Sequence, residues 1–292
     1  MHLLLDNLQP WDFSPTVLAC TLLALVIYWR GVNRLRTAGN PVGYGGRVAY
    51  TLGVVLLYVV LQTKIDYYAQ HMFFVHRLQH LVLHHLGPFL IALSVPLPIL
   101  RAGIPQNIQL RVVAPLRENI WVRGLLNVVL NPVVAAVMFV AGIGFWLIPQ
   151  VHFAAMLSLP IYNMMNWSMV LDGLPFWLLV LDPQPSPPAR MGYGMRIMML
   201  AAITLPQLLM GAVISLTTHD LFKVYGICGR FYPIDPITDQ QLGGLIIWIP
   251  GSMMSLLAML IVFYLYFANG HSMDRRGKAL KAKDLTLLPD AP

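Results

Sequence analysis

Residues 245–268 read LIIWIPGSMMSLLAMLIVFYLYFA, twenty-four consecutive positions without a charged side chain. About 20 such residues cross a hydrocarbon core as a helix. An outer-membrane barrel would instead alternate apolar and polar positions in segments of about ten. The same texture recurs near residues 15–29, 48–62, 74–96, 126–148, 154–181, 196–217 and 241–268, the second run being short unless it extends toward Tyr67. Of 292 residues, 58% are hydrophobic and 11% charged, against roughly 45–50% and about 25% in soluble domains. That balance excludes a water-soluble globule. It predicts an all-α, polytopic membrane helix bundle of about seven transmembrane helices over residues 1–270, with a basic tail over residues 271–292.

The net charge of +7 is explained by where the basic residues fall, so no nucleic-acid partner is expected. Arg30, Arg34, Arg36 and Arg47 follow the first run; Arg101, Arg111, Arg117 and Arg123 follow the third. Arg190 and Arg196 follow the fifth, and Arg275, Arg276, Lys278, Lys281 and Lys283 follow the seventh. Lys64, Arg77, Lys223 and Arg230 remain for the other side. The positive-inside rule makes the first set cytoplasmic. The N-terminus is then outside, the C-terminus cytoplasmic and the helix number odd. Asp6 and Asp12 precede the first run with no basic residue, so it reads as a retained helix rather than a cleaved signal.

Cys20 and Cys228 each stand alone, which excludes a CxxC metal or redox site. Pro88, Pro132, Pro160, Pro175, Pro206 and Pro250 interrupt the runs, as membrane helices tolerate. The stretch from Pro183 to Pro188 reads as a stiff cytoplasmic turn. There is no internal repeat and no room for a soluble domain; the longest external loop is expected from Thr218 to Gln240.

Of the nine histidines, His71, His76, His80, His84 and His85 crowd the outer half of the third run. His2, His152 and His219 are also placed outside, and His271 inside. Ionisable groups are costly in a membrane and usually face its protein interior or a wet cavity. His76, His80 and His84 are spaced i, i+4, i+8 and so share one helix face; Gln79 borders that stripe and His85 points away. Two imidazoles at i and i+4 can grip one metal ion. Imidazole suits zinc, copper, iron or nickel, and thioether adds a preference for Cu(I). His76, His80 and His84 are therefore the candidate metal ligands, with interhelical hydrogen bonding as the alternative. Binding needs neutral rings, so affinity is expected to fall below about pH 6.5. A bis-histidine haem fits only at an edge, because His152 and His219 lie at helix ends.

The fifth run carries Asn163, Asn166 and Asp172, with Met165 and Met169 among them. Asn163 and Asn166 are expected to face together, at the depth of His84, with Asp172 deeper and protonated, paired or on a wet path. These five, with His71 and His219, form a possible additional polar or metal site. The seventh run opens with Asp239, Gln240 and Gln241, then Gly243, Gly244, Trp248 and Pro250. The glycines permit close helix approach and the Pro-Gly a kink. Asp239 is expected to cap its own helix, or else to act as a ligand. No nucleophile elbow, phosphate loop, dinucleotide fingerprint or close carboxylate pair is present, so no catalytic residue and no enzyme activity is assigned.

Three patches resemble one family. His76-Arg77-Leu78-Gln79-His80 followed by Leu81-Val82-Leu83, then Gly173-Leu174-Pro175-Phe176-Trp177, and above all Asp239-Gln240-Gln241-Leu242-Gly243-Gly244 with Trp248-Ile249-Pro250-Gly251, are similar to segments of the CtaG-type cytochrome c oxidase (caa-type) assembly factors. The chain departs from that pattern in reading Trp146-Leu147 and Tyr162-Asn163-Met164-Met165-Asn166 where the family often carries further histidines, which marks a divergent member. The resemblance implies a multi-pass protein of the bacterial cytoplasmic (inner) membrane. It implies a role in maturing a haem-copper oxidase by binding or relaying copper on the outer, periplasmic side. The implied partners are oxidase subunits, membrane lipids and a periplasmic copper chaperone. A copper or proton transporter, or a metal-free scaffold for oxidase subunits, are the alternatives.

Overall fold

The computed structural model describes residues 11–286, with side chains described through residue 269. His2 and the side chain of His271 lie outside the described residues, as do the side chains of the basic tail. The described residues form helices and no strands. Four helices are long and apolar enough to cross a bilayer: α1 (Pro15–Thr37), α2 (Tyr44–Gln62), α11 (Tyr193–Leu216) and the first part, Pro236–Asn269, of α13 (Pro236–Thr286). Two further candidates are bent pairs: α4 (Phe73–Leu93) with α5 (Pro96–Gly103), at 73°, and α7 (Ile120–Val129) with α8 (Pro132–Leu147), at 68°. Helix α10 (Leu159–Val180) has 22 residues, about 33 Å of helix. It falls short on apolarity alone, since it carries Asn163, Asn166 and Asp172. Shorter helices α3 (Lys64–His71), α6 (106–118), α9 (Pro149–Met156) and α12 (Val224–Cys228) join these.

The expected run over 74–96 ends early. Val95 takes φ 52°, a left-handed conformation costly for a β-branched residue, and Pro96 starts α5. The expected run over 126–148 is also two helices. Asn131 accepts hydrogen bonds from the Val133 and Val134 amides at 3.0 and 3.2 Å, and Pro132 opens the new helix. Pro160 likewise opens α10, so residues 154–156 belong to α9 and not to the fifth span. Of the prolines expected to interrupt helices, Pro88, Pro175, Pro206 and Pro250 lie inside them.

Helix α4 is the hub, packed by α2, α10 and α13. Its middle, Leu81–Leu86, widens into a π-helical turn in which the Gly87 amide bonds the Val82 carbonyl, five residues back. Pro88 follows. A proline has no N–H, and its ring clashes with the carbonyl four residues earlier, here that of His84. The wider turn relieves the clash and leaves that carbonyl without its α-helical donor. Trp177 of α10 supplies one, with Nε1 donating to the His84 carbonyl at 3.1 Å. The approach is close enough that a Cβ on Gly173 would strike the His84 backbone. The Gly-Leu-Pro-Phe-Trp segment is thus a socket for the π-turn.

Beneath it, Phe89, Phe139, Phe176, Trp177 and Leu200 form an apolar cluster, with Phe139 and Phe176 stacked at 3.9 Å. On the other flank Tyr28 and Tyr50 stack at 3.7 Å, joining α1 to α2. The turn between α10 and α11 is organised by buried Arg196, which donates to the carbonyls of Asp182, Gln184 and Met191.

Gly173→Ala is expected to destabilise the protein by about 1–3 kcal/mol through overpacking on His84. Gly124→Ala, which meets nothing, should be neutral or mildly stabilising; melting temperatures in one detergent check both.

Candidate functional site

His76 and His80, one turn apart on α4, are buried, and their Nε2 atoms lie 3.0 Å apart. His80 Nε2 is also 3.2 Å from Asn166 Oδ1 of α10. Nitrogens sharing one tetrahedral metal stand about 3.3 Å apart, given bonds of about 2.0–2.1 Å. Without a metal, one proton shared between the rings gives the same approach.

The His152 ring, from α9, is fully buried with its centroid 5.1 Å from that of His76. Its Nδ1 lies 3.2 Å from the Trp146 carbonyl, which can only accept, so Nδ1 carries the proton and Nε2 accepts from the Tyr225 hydroxyl at 2.9 Å. Burial, reinforced by the Arg77 guanidinium, holds His152 well below the usual imidazole range. Both of its nitrogens are engaged, so it walls the site and does not open onto it.

His84 and His85 sit on the π-turn. Their Nδ1 atoms are 3.2 Å apart. His84 Nε2 lies 3.2 Å from Asp172 Oδ1, close but not aligned as a hydrogen bond, while His85 Nε2 is 3.4 Å from Gln207 Nε2 of α11. Gly142 of α8 leaves the space that the Asp172 carboxylate occupies. His85 therefore does not point away as an unbroken helix requires; a π-turn advances fewer degrees per residue and swings it inward beside His84. A cavity of about 30 Å³ is bordered by Arg77, His80, His84, His85, Met169 and Gln207. On its far side Asp172 faces a lateral groove of about 640 Å³ between α8 and α10, walled by Met138, Phe145, Met164 and Leu171.

The structure thus separates the three histidines expected to act together. His76 and His80 touch; His84 is turned to Asp172. Among the described residues, no group of three or more His, Cys, Asp or Glu side chains is arranged to hold a metal ion. Asn166 faces the site, but Asn163, 60° away around the helix, is exposed. Met169 borders the cavity and Met165 is buried in an apolar cluster with Val60, Leu83 and Tyr162. His71 is half-buried at the end of α3, its ring against Tyr67 at 4.3 Å. His219 is exposed, and what its residue contributes is a backbone carbonyl accepting from Gln240 at 3.2 Å.

Asp239 caps a helix, though not its own. Its carboxylate accepts from the amides of Phe73 and Phe74, at 3.1 and 2.9 Å, which open α4. It also accepts from Arg230 Nε at 3.2 Å. The start of α13 is capped by Asp235 instead, through the Ile237 amide at 2.9 Å. Gln240 donates to the carbonyls of Ile214, Thr217 and His219 and accepts from the Leu221 amide, tying down the loop after α11. Gly243 admits the Phe73 ring and the Arg77 stem; Gly244 admits Ser215; and the backbone of Trp248 lies against Gly211. Pro250 sits inside α13.

Two participants escaped the sequence. His152 looks like a helix-end residue because α9 is a separate short helix folded over the cluster. Asp66, buried on α3, accepts from Gln79 Nε2 and the Tyr162 hydroxyl, each at 2.7 Å, and from Gln70 at 2.8 Å. Burial pushes its carboxyl up, against these hydrogen bonds. Gln79 is thereby committed to Asp66 and not to the histidine pair. The Thr63 cap before Asp66 is the only local cue.

The family model for the cytochrome c oxidase caa3 assembly factor (Caa3_CtaG) matches residues 26–268. The chain belongs to this family. Among curated proteins, it is 24% identical over 247 residues to an uncharacterised protein of Mycobacterium leprae, covering 82% of this chain and 36% of the relative. An uncharacterised Mycobacterium bovis protein is 24% identical over 259 residues, covering 82% of this chain and 37% of the relative. The chain thus spans little more than a third of these relatives' length. No solved structure matches.

Asp239→Ala should cost about 3–5 kcal/mol, since it strips Arg230 and two amides of a buried carboxylate. Asp235→Ala, the loss of an ordinary N-cap, should cost about 1 kcal/mol. Parallel thermal melts of the two variants check the assignment; equal losses would contradict it.

Proposed function

We propose that this assembly-factor family member acts without catalysing a reaction itself, taking copper as cargo on the outer side of a bacterial cytoplasmic membrane and passing it toward a haem-copper oxidase. The observation that carries this reading is the His76–His80 pair, two buried imidazole nitrogens 3.0 Å apart with Asn166 Oδ1 beside them. Two neutral imidazoles suit a low-coordinate Cu(I), a softer demand than a closed four-ligand zinc site. Such a grip holds an ion and can release it, as a relay requires. Met169, on the neighbouring cavity wall, is the thioether best placed to take the ion next.

The outward assignment follows from the arginine-rich connections after α1 and α5 and the positive-inside rule. Under it, the histidine pair lies below the loop that carries Tyr225 and Arg230. Oxidase subunits would dock against the exposed apolar helix faces, and a periplasmic copper chaperone would deliver the ion from above. A transporter needs a polar path through the whole bilayer. Here the polar groups give way below Asp172 and His85 to the Phe139–Phe176–Trp177 cluster, which favours a site entered and left from one side.

Copper analysis of purified protein after Cu(I) loading provides the test. His76→Ala with His80→Ala should lose nearly all bound copper and fail to restore oxidase activity in a deletion strain, whereas His84→Ala should keep most of its copper. Comparable, near-zero copper in all three proteins would overturn the reading and leave the metal-free scaffold.

A further inference from the structure

Arg77 belongs to the same α4 turn as the histidine pair, yet neither the fold nor the copper reading explains its charge. Its side chain is 2% exposed. Its Nε and Nη2 have no hydrogen-bond partner. Arg196, likewise buried, is held by three backbone carbonyls; Arg77 rests on the face of Phe73, 5.1 Å from its guanidinium carbon. No carboxylate pairs with it among the described residues. Asp239 is taken by Arg230 and two amides, Asp66 by Gln79, Gln70 and Tyr162, and Asp172 lies against His84. A guanidinium stays charged at any accessible pH, and in a low-dielectric interior an uncompensated charge is among the costliest groups to bury.

Arg77 borders the cavity of about 30 Å³, room for one or two water-sized groups. The other polar walls are His80, His84, His85 and Gln207. A half-turn of the Gln207 amide, whose Oε1 has no partner, gives that Oε1 to His85 Nε2 and frees the amide N–H groups as donors. Leu81, Ile143, Met169, Ile246 and Ile247 make the rest of the wall apolar, so the cavity holds one fixed cation and a few polar groups, with no carboxylate on its border. Water would satisfy the donors but not the charge. We propose that this cavity is a binding site for a small monovalent inorganic anion of halide size, the missing counter-ion of Arg77.

Bromide serves as the probe, with purified, copper-free, full-length protein in detergent, titrated against gluconate at constant ionic strength. The wild type should show a saturable rise in melting temperature and broadening of the bromide NMR line. Gln207→Glu places a carboxylate in the cavity as a built-in counter-ion and should weaken bromide binding at least about tenfold, as should Arg77→Gln, which removes the charge. In wild-type crystals, anomalous scattering from bromide should give a peak beside Arg77, independent of either variant. No saturable response in the wild type, an unchanged response in Gln207→Glu, or a bromide peak only at the surface would each overturn the proposal. Because copper is absent throughout, the outcome is separate from that of the copper loading.

Discussion

A proline four residues beyond a histidine governs the interior of this bundle. Pro88 cannot donate to the His84 carbonyl, and its ring would press against it, so α4 widens through Leu81–Leu86 before resuming its course. A bilayer interior offers no water to fill the vacated bond. The filling comes from Trp177, and Gly173 lets α10 close enough to deliver it. Because one helix must complete the other, α4 and α10 are fixed in register. That register sets His80 against Asn166 and His84 against Asp172.

The widened turn also divides the polar interior in two. Above it lies the imidazole pair, shielded by His152 and Tyr225. At it lie His84 and His85, each turned to a side chain of a different helix. A single straight helix would have stacked three rings into one ladder. The actual geometry yields two rings in contact, a small cavity below them and an aromatic floor.

The class of fold was legible in the sequence because the bilayer imposes it: long uncharged runs have few other uses. Segment boundaries were less legible at Val95 and Asn131, where a strained residue and a side-chain cap break runs that hydropathy reads as continuous. The i, i+4 relation of His76 and His80 survived, since it is local. The extension to His84 failed because helical periodicity assumes a constant turn, and the consequence of Pro88 appears only with Trp177 in place. Asp239 was recognisable as a cap by chemistry, but the helix it caps begins 166 residues earlier, beyond any local rule. Asn163 and Asn166 differ by 60°, enough to put one in the bundle and the other outside it. His152 and Asp66 carried almost no local signal, since short helices outside the main spans bring them to the cluster.

Helix α10 carries a consequence for how the chain enters its membrane. On its own it is a poor insertion segment: a central aspartate costs about 2.5–3.5 kcal/mol as the translocon weighs it, and two asparagines add to that. The groups that answer this polarity, His80 and His84, stand on α4, synthesised nearly ninety residues sooner. Biogenesis must therefore keep α4 within reach of the exit site until α10 emerges, so that the two partition into lipid as one unit. Anything that lets α4 diffuse away early would leave α10 stranded at the interface, and the histidine pair would never be assembled.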